Sequence, residues 1–207
     1  MWERNIQLST SAMGGLMRGQ VYVCGGNSGY DSSGTYRVHN NCYATSPRNP
    51  RQWVSMPDMP VNTTNAAYAV KDNKMYVFGG YQKPACGYRP LVQIFNSRNQ
   101  KWSMNSKDDP PNQIGAYGCA VTAGNLIFMT GGWYPKDAYP YLPSCKEELP
   151  GDELTAVNAD YENYQDRVQI YNTVQGTWSQ GPRLITRRRN HGCTLVDVGG
   201  RMVMREG

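Results

Sequence analysis

Histidine is almost missing from this chain: 207 residues carry two, His39 and His191. No His/Cys/Asp cluster has metal-ligand spacing, and no Gly-x-Ser-x-Gly elbow or phosphate-binding glycine loop appears. No metal and no cofactor is therefore expected, and catalysis is not the expected role. Charge is also scarce, at 18% of residues with a net charge of +5. The basic residues are scattered except for Arg187-Arg188-Arg189, so solvated surface rather than nucleic-acid binding is their expected use. No apolar run reaches the roughly 18 residues of a membrane-spanning helix, so no membrane insertion is expected. The start, Met1-Trp2-Glu3-Arg4-Asn5, lacks the basic-then-apolar layout of a secretory leader. Heptads and long stretches of 3.6-residue period are missing too, which excludes a coiled coil or helical bundle.

Glycine and proline are abundant, with 22 and 13 copies against 39% hydrophobic residues. That profile belongs to short strands joined by many turns. No shift in composition and no linker divides the chain, so one repeating domain over residues 1–207 is expected. Its unit is the stretch Asn73-Lys74-Met75-Tyr76-Val77-Phe78-Gly79-Gly80, an apolar strand ending on two glycines. The stretch recurs at residues 20–26 and 125–132, and in decayed form at 200–207. The glycine pairs begin at 25, 79 and 131, steps of 54 and 52 residues.

Each unit reads as four strands. In the second, Ala66 to Val70 turns at Lys71-Asp72-Asn73 into Met75 to Phe78; residues 91–96 form a third strand and Trp102 opens a fourth. The third unit repeats VQIFN as VQIYN, and in both a Trp follows the ring seven positions on, at Phe95 to Trp102 and Tyr171 to Trp178. In the first unit Cys42-Tyr43 is aligned with Ile94-Phe95, and Trp53 follows ten positions after Tyr43. The expected units are residues 10–57, 62–106 and 113–182, with a partial fourth at 187–207 and an insertion at 133–166. Four period-2 strands per unit of about 50 residues describe a β-propeller blade. The paired glycines supply φ values that side chains forbid and leave room for a neighbouring backbone. The periodic rings are expected to fill the wedges between blades.

The glycine pair, the Tyr or Phe ending the third strand, the Trp opening the fourth and the following Met59-Pro60 or Gly181-Pro182 resemble kelch repeats. Arg188-Arg189-Asn190-His191-Gly192-Cys193 is similar to the family's Arg-x-x-His-Gly approach to an innermost strand, which implies a structural, hydrogen-bonding His191. The resemblance implies an all-β fold of kelch-type propeller blades, each of four antiparallel strands. Kelch propellers usually close with five to seven blades, whereas this chain holds about three and a half. An incomplete ring is expected, either part of a longer protein or completed by a partner, including self-association of two copies.

Six cysteines allow fifteen pairings. In the repeat register Cys24 and Cys42 stand where the next unit has Phe78 and Ile94, on adjacent antiparallel strands, so a disulfide between them is expected. Cys86 and Cys145 lie in second-to-third-strand loops on one rim and form a second candidate bridge. Cys119 and Cys193, on innermost strands, are expected to be small buried thiols. Disulfides favour an extracellular setting, and the sequon Asn62-Thr63-Thr64, in a loop by this reading, fits it. A cytoplasmic setting is the alternative, because intracellular kelch repeats also often carry Cys before the strand-ending Tyr.

The insertion is rich in Tyr, Pro and acidic residues and is too long for a minimal connection. By analogy with kelch propellers, its rim often grips partner peptides. The residues expected to do so are Tyr30, Tyr36, Arg37, His39, Tyr81, Tyr88, Arg89, Tyr139, Tyr141 and Arg187, Arg188, Arg189, the aromatic and arginine types enriched at hot spots. The arginines either pair with the acidic insertion or offer bidentate contacts to an acidic partner. The resemblance thus implies a non-catalytic module that binds a protein partner. One alternative is a fragment of a galactose-oxidase-like carbohydrate-active copper oxidase. Another is the substrate-recognition part of a BTB-kelch ubiquitin-ligase adaptor, whose companion domains would lie outside this chain.

Overall fold

The computed structural model describes residues 9–83, 90–104, 116–134, 164–198 and 201–206; for residues 83, 197, 198 and 201–206 only the backbone is described. The first unit opens with β1 (Met13–Met17) and β2 (Gln20–Cys24), then a hairpin of β3 (Asn27–Tyr30) and β4 (Tyr36–Val38). β5 (Cys42–Ser46) and β6 (Asn49–Met56) complete a sheet in the order β1-β2-β5-β6. β7 (Asn62–Thr64) leads into the second unit, whose sheet holds β8 (Ala67–Lys71), β9 (Lys74–Phe78), β11 (Val92–Asn96) and β12 (Lys101–Met104). Between them β10 (Tyr81–Lys83) turns back to pair with β7. The third sheet runs β13 (Cys119–Ala123), β14 (Leu126–Thr130), β15 (Val168–Asn172) and β16 (Thr177–Gln180). A fourth unit contributes the pair β17 (Cys193–Val198) and β18 (Arg201–Glu206). All these pairings are antiparallel. The innermost strands β1, β8, β13 and β17 adjoin in turn, so the described residues form an arc of blades with no closed sheet among them, as the repeat predicts.

Local chemistry sets the blade edges. Met17 pairs with Gln20 across Arg18-Gly19, and Lys71 with Lys74 across Asp72-Asn73. Both central residues of each turn have positive φ, 51° and 74° in the first and 51° and 61° in the second, the type I′ geometry that matches strand twist. β9 alternates Met75 and Val77 toward the first blade with Tyr76 and Phe78 toward the third. Both sets are buried, because this strand lies between two blades.

Two clusters weld the blades. Between the first and second, Phe95 packs among Met13, Met17, Tyr22, Met59 and Met75, with Trp102 lying over it. Trp102 also donates its indole N–H to the Pro57 carbonyl at 2.9 Å, which ties the outer strand to the preceding blade. Between the second and third, Tyr171 meets Tyr76, Phe78 and Trp178 at centroid distances of 6.0, 6.1 and 4.9 Å. The rings fill the wedges, as expected.

The structure corrects the sequence reading in three places. In the first unit Cys24 faces Cys42 as Phe78 faces Val92, and Thr45 faces Trp53 as Phe95 faces Trp102. Thr45, not Tyr43, therefore holds the position of the ring. An irregularity between Thr45 and Ser46 lengthens the path to Trp53, and the ring position lies two residues beyond the expected Tyr43. A shift of two keeps every side chain on its face, so the expected Cys24–Cys42 disulfide still forms, at a Cα separation of 4.1 Å. Second, Cys119 and Cys193 are not free thiols but a disulfide with Cα atoms 5.9 Å apart. Each opens an innermost strand, and β13 and β17 are neighbours around the arc. Third, Asn62 lies on β7 rather than in a loop: its amide donates to the Val38 carbonyl at 3.0 Å, and Thr64 is buried with its hydroxyl 2.9 Å from the Asn27 amide. Folding consumes the sequon. Cys86 and Cys145 lie outside the described residues.

Candidate functional site

The glycine pairs organise the end of the arc where second strands leave their sheets. Gly25 has φ +67°, and a Cβ there would stand 2.5 Å from the Thr63 carbonyl of the next unit; for Gly26 the obstacle is its own unit's Thr10 carbonyl at 2.6 Å. Gly131 repeats the arrangement against the Arg188 carbonyl at 2.6 Å. The amides of Gly26 and Gly132 donate across the joint to Thr63 and Arg188, each at 2.8 Å. The 25–26 and 131–132 pairs are thus two-sided backbone contacts, one glycine toward its own lead-in and one toward the next.

Beside these joints four residues with positive φ, Ser11, Asn65, Tyr117 and Asn190, stand just ahead of the innermost strands. Their backbones form a chain of hydrogen bonds from unit to unit: Asn65 N–H to Ser11 at 3.2 Å, Tyr117 N–H to Asn65 at 2.8 Å and Asn190 N–H to Tyr117 at 2.9 Å. Asn and Ser are ordinary in turn conformations, whereas a bulky ring at φ +63° is not. The third unit holds Tyr117 in this strained conformation, and such strain clusters at functional sites.

Around Tyr117 the rim is aromatic. Tyr30 and Tyr36 pair across the β3–β4 hairpin with ring centroids 5.1 Å apart, and Tyr36 meets Tyr81 edge-on at 6.0 Å. Tyr30 remains exposed. The Arg189 guanidinium lies 4.8 Å from the Tyr164 ring centre and 5.6 Å from that of Tyr117. Burial, reinforced by Tyr117, Tyr30 and Tyr81 nearby, pushes the Tyr36 hydroxyl up to about 12. Tyr117 is also raised by burial, against the opposing pull of Arg189. Because the folded value of Tyr36 exceeds the ordinary 10.0, its contribution to stability is intact below pH 10 and is lost as pH rises from there through about 12. A tyrosinate absorbance titration should show Tyr36 ionising after the exposed tyrosines, with melting temperature falling over that window.

The remaining candidates divide. Arg37 forms an ion pair with Asp31 inside the hairpin turn. The Ser33 hydroxyl, then the Thr35 amide and Arg37, hold the Asp31 carboxyl well below its usual range. His39 lies 3.0 Å from the Ser28 hydroxyl, and burial together with Arg37 lowers its affinity for a proton. The His191 Nε2 lies 2.8 Å from the Thr130 hydroxyl, against Gly131, the structural role the sequence implies. Arg188 works through its backbone, accepting from Gly132 and donating to Gln165 at 3.1 Å. Arg187 is half-buried beside it. Arg188 bridges Gln165 at the end of the insertion, where Arg183 pairs with Asp166 at 2.9 Å. Tyr88, Arg89, Tyr139 and Tyr141 lie outside the described residues. Tyr117 and Tyr164 were missed by sequence reasoning. The signal for Tyr117 was its place in the repeat, aligned with Ser11 and Asn65; for Tyr164 there was none beyond the composition of the insertion.

The kelch motif matches residues 62–104, the second blade. A kelch domain-containing protein of Vibrio cholerae serotype O1 is 32% identical over 140 residues, 63% of this chain and 38% of that protein. Kelch-like protein 38 of Rattus norvegicus is 31% identical over 98 residues, 46% of this chain and 16% of the relative. Kelch-like protein 23 of Homo sapiens is 25% identical over 169 residues, 70% of this chain and 29% of the relative. The chain therefore spans well under half the length of these relatives. Among solved structures, that of YjhT superposes with a TM-score of 0.65 over 94% of this chain and 58% of its own, at 16% identity. That likeness concerns the fold alone. Repeated glycine-pair joints, four-stranded blades wedged by Phe95–Trp102 and Tyr171–Trp178, and these matches together identify the repeats of this chain as kelch repeats.

Proposed function

We propose that this kelch module is non-catalytic and that its glycine-pair rim docks an extended acidic segment of a protein partner. The observation that carries the reading is Arg189. Its guanidinium is held over Tyr117 and Tyr164, and no ion pair binds it among the described residues. A stacked guanidinium keeps its N–H edge available for a carboxylate, and immobilising it in advance lowers the entropy cost of a bidentate contact. Tyr30, Tyr36 and Tyr81 line the same rim and supply amphipathic area of the kind found at protein hot spots. The kelch-like relatives are consistent with this reading.

The test is an array of aspartate- and glutamate-rich peptides probed with the purified chain, beside a neutral array of matched length. Binding confined to acidic peptides, weakened at least tenfold by Arg189→Ala with only a small change in melting, supports the rim. Arg189→Ala binding as well as the parent, or no preference for acidic peptides, overturns it.

A further inference from the structure

The other end of the arc is basic, which the scattered order of the sequence conceals. Antiparallel blades bring first-to-second and third-to-fourth turns to one end, away from the glycine pairs. The first kind carries Arg18, Lys71 and Lys74; the second carries Arg48, Arg51, Arg98 and Lys101. Against these seven cations the same described turns hold one carboxylate, Asp72, which pairs with Lys71 at 2.9 Å. All but Lys71 and Lys74 are exposed, and those two are half-exposed. The turns also touch: the Arg18 amide donates to the Asn73 side chain at 3.2 Å, and Ser97 donates to the Asn73 carbonyl through its amide at 3.0 Å and its hydroxyl at 2.8 Å. The cations of two blades therefore share one continuous surface.

We infer that this turn end is a docking surface for a sulfated polysaccharide. A cluster of uncompensated cations attracts a polyanion by releasing its counterions. None of these turns carries an aromatic side chain, so there is no platform on which unpaired bases would stack. The exposed Val174 belongs to the third blade, whose turns carry no cation, and the exposed Leu16 and Val54 lie singly on the β1 and β6 strands near Arg18 and Arg51 rather than in the turns. Isolated side chains of this kind do not form the continuous apolar face of a membrane anchor. The Cys24–Cys42 and Cys119–Cys193 disulfides belong to an oxidising compartment, where sulfated chains rather than nucleic acids are the available polyanion. The surface is separate from the Arg189 rim, so the two readings stand or fall apart.

Binding of the whole chain to immobilised heparin tests the inference. Neutralising about six charges, affinity should fall on the order of 10³-fold between about 50 and 200 mM salt. Reversing Lys74→Glu and Arg98→Glu together should weaken binding at least tenfold with melting unchanged, while Arg189→Ala leaves heparin affinity as it was. No retention on heparin at about 50 mM salt, or a double reversal without effect, overturns the surface. Equal or tighter binding to duplex DNA or to phosphatidylserine vesicles overturns the sulfated polysaccharide as its occupant.

Discussion

Replacing Gly25 by alanine should destabilise the chain by on the order of 3 kcal/mol, a fall in melting temperature of roughly 5 to 10 °C for a protein of this size. Two costs add. A side chain at φ +67° meets its own carbonyl, worth about 1 to 2 kcal/mol. The new Cβ would also stand 2.5 Å from the Thr63 carbonyl and 2.7 Å from the Met13 methyl. Met13 can turn aside, but Thr63 is backbone at the joint between blades, so the blades must part. Gly19→Ala separates the two costs: φ there is +74°, yet nothing lies within 4 Å. It should cost only the backbone share, about 1 kcal/mol. Equal losses in the two variants, measured by chemical denaturation, would show that the close approach costs nothing.

Phe95→Ala should cost about 3 to 5 kcal/mol, the range for removing a fully buried ring from a core that cannot collapse around the gap. Phe95 is 1% exposed, with Tyr22 at 5.6 Å and Trp102 at 5.2 Å between ring centres. Rigid sheets stand on either side, so relaxation is limited. Trp102→Ala should cost less, about 2 kcal/mol, because the indole is only partly buried and lies over Phe95 rather than inside the wedge. Denaturation curves of both variants decide the ranking. A larger loss for Trp102→Ala would make the outer lid, with its bond to Pro57, the element that holds neighbouring blades together.

The glycine pairs, the alternating strands and the ring-to-Trp spacing were legible because each answers to chemistry within one unit. A strand shows its period in its own residues, and a glycine is needed wherever Cβ would strike a carbonyl. The first blade was harder to place. Thr45 occupies the position that Phe95 and Tyr171 hold in the other blades, and no sequence rule announces a threonine at a ring position when the following turn is also stretched. The Cys24–Cys42 bridge survived the slip because two residues restore the same face.

What the sequence determined by itself is the blade: four strands, their turns, the glycines between them and the kelch resemblance, all set by short-range periodicity. What only the tertiary structure decided are the relations between blades. Cys119 reaches Cys193 across 74 residues of chain, Arg189 settles on Tyr117 and Tyr164, and dispersed lysines and arginines gather at one end. These depend on the angle at which one sheet packs on the next. That angle is set by the summed bulk of Phe95, Tyr171 and the methionines around them, a many-body property that no single stretch of residues records.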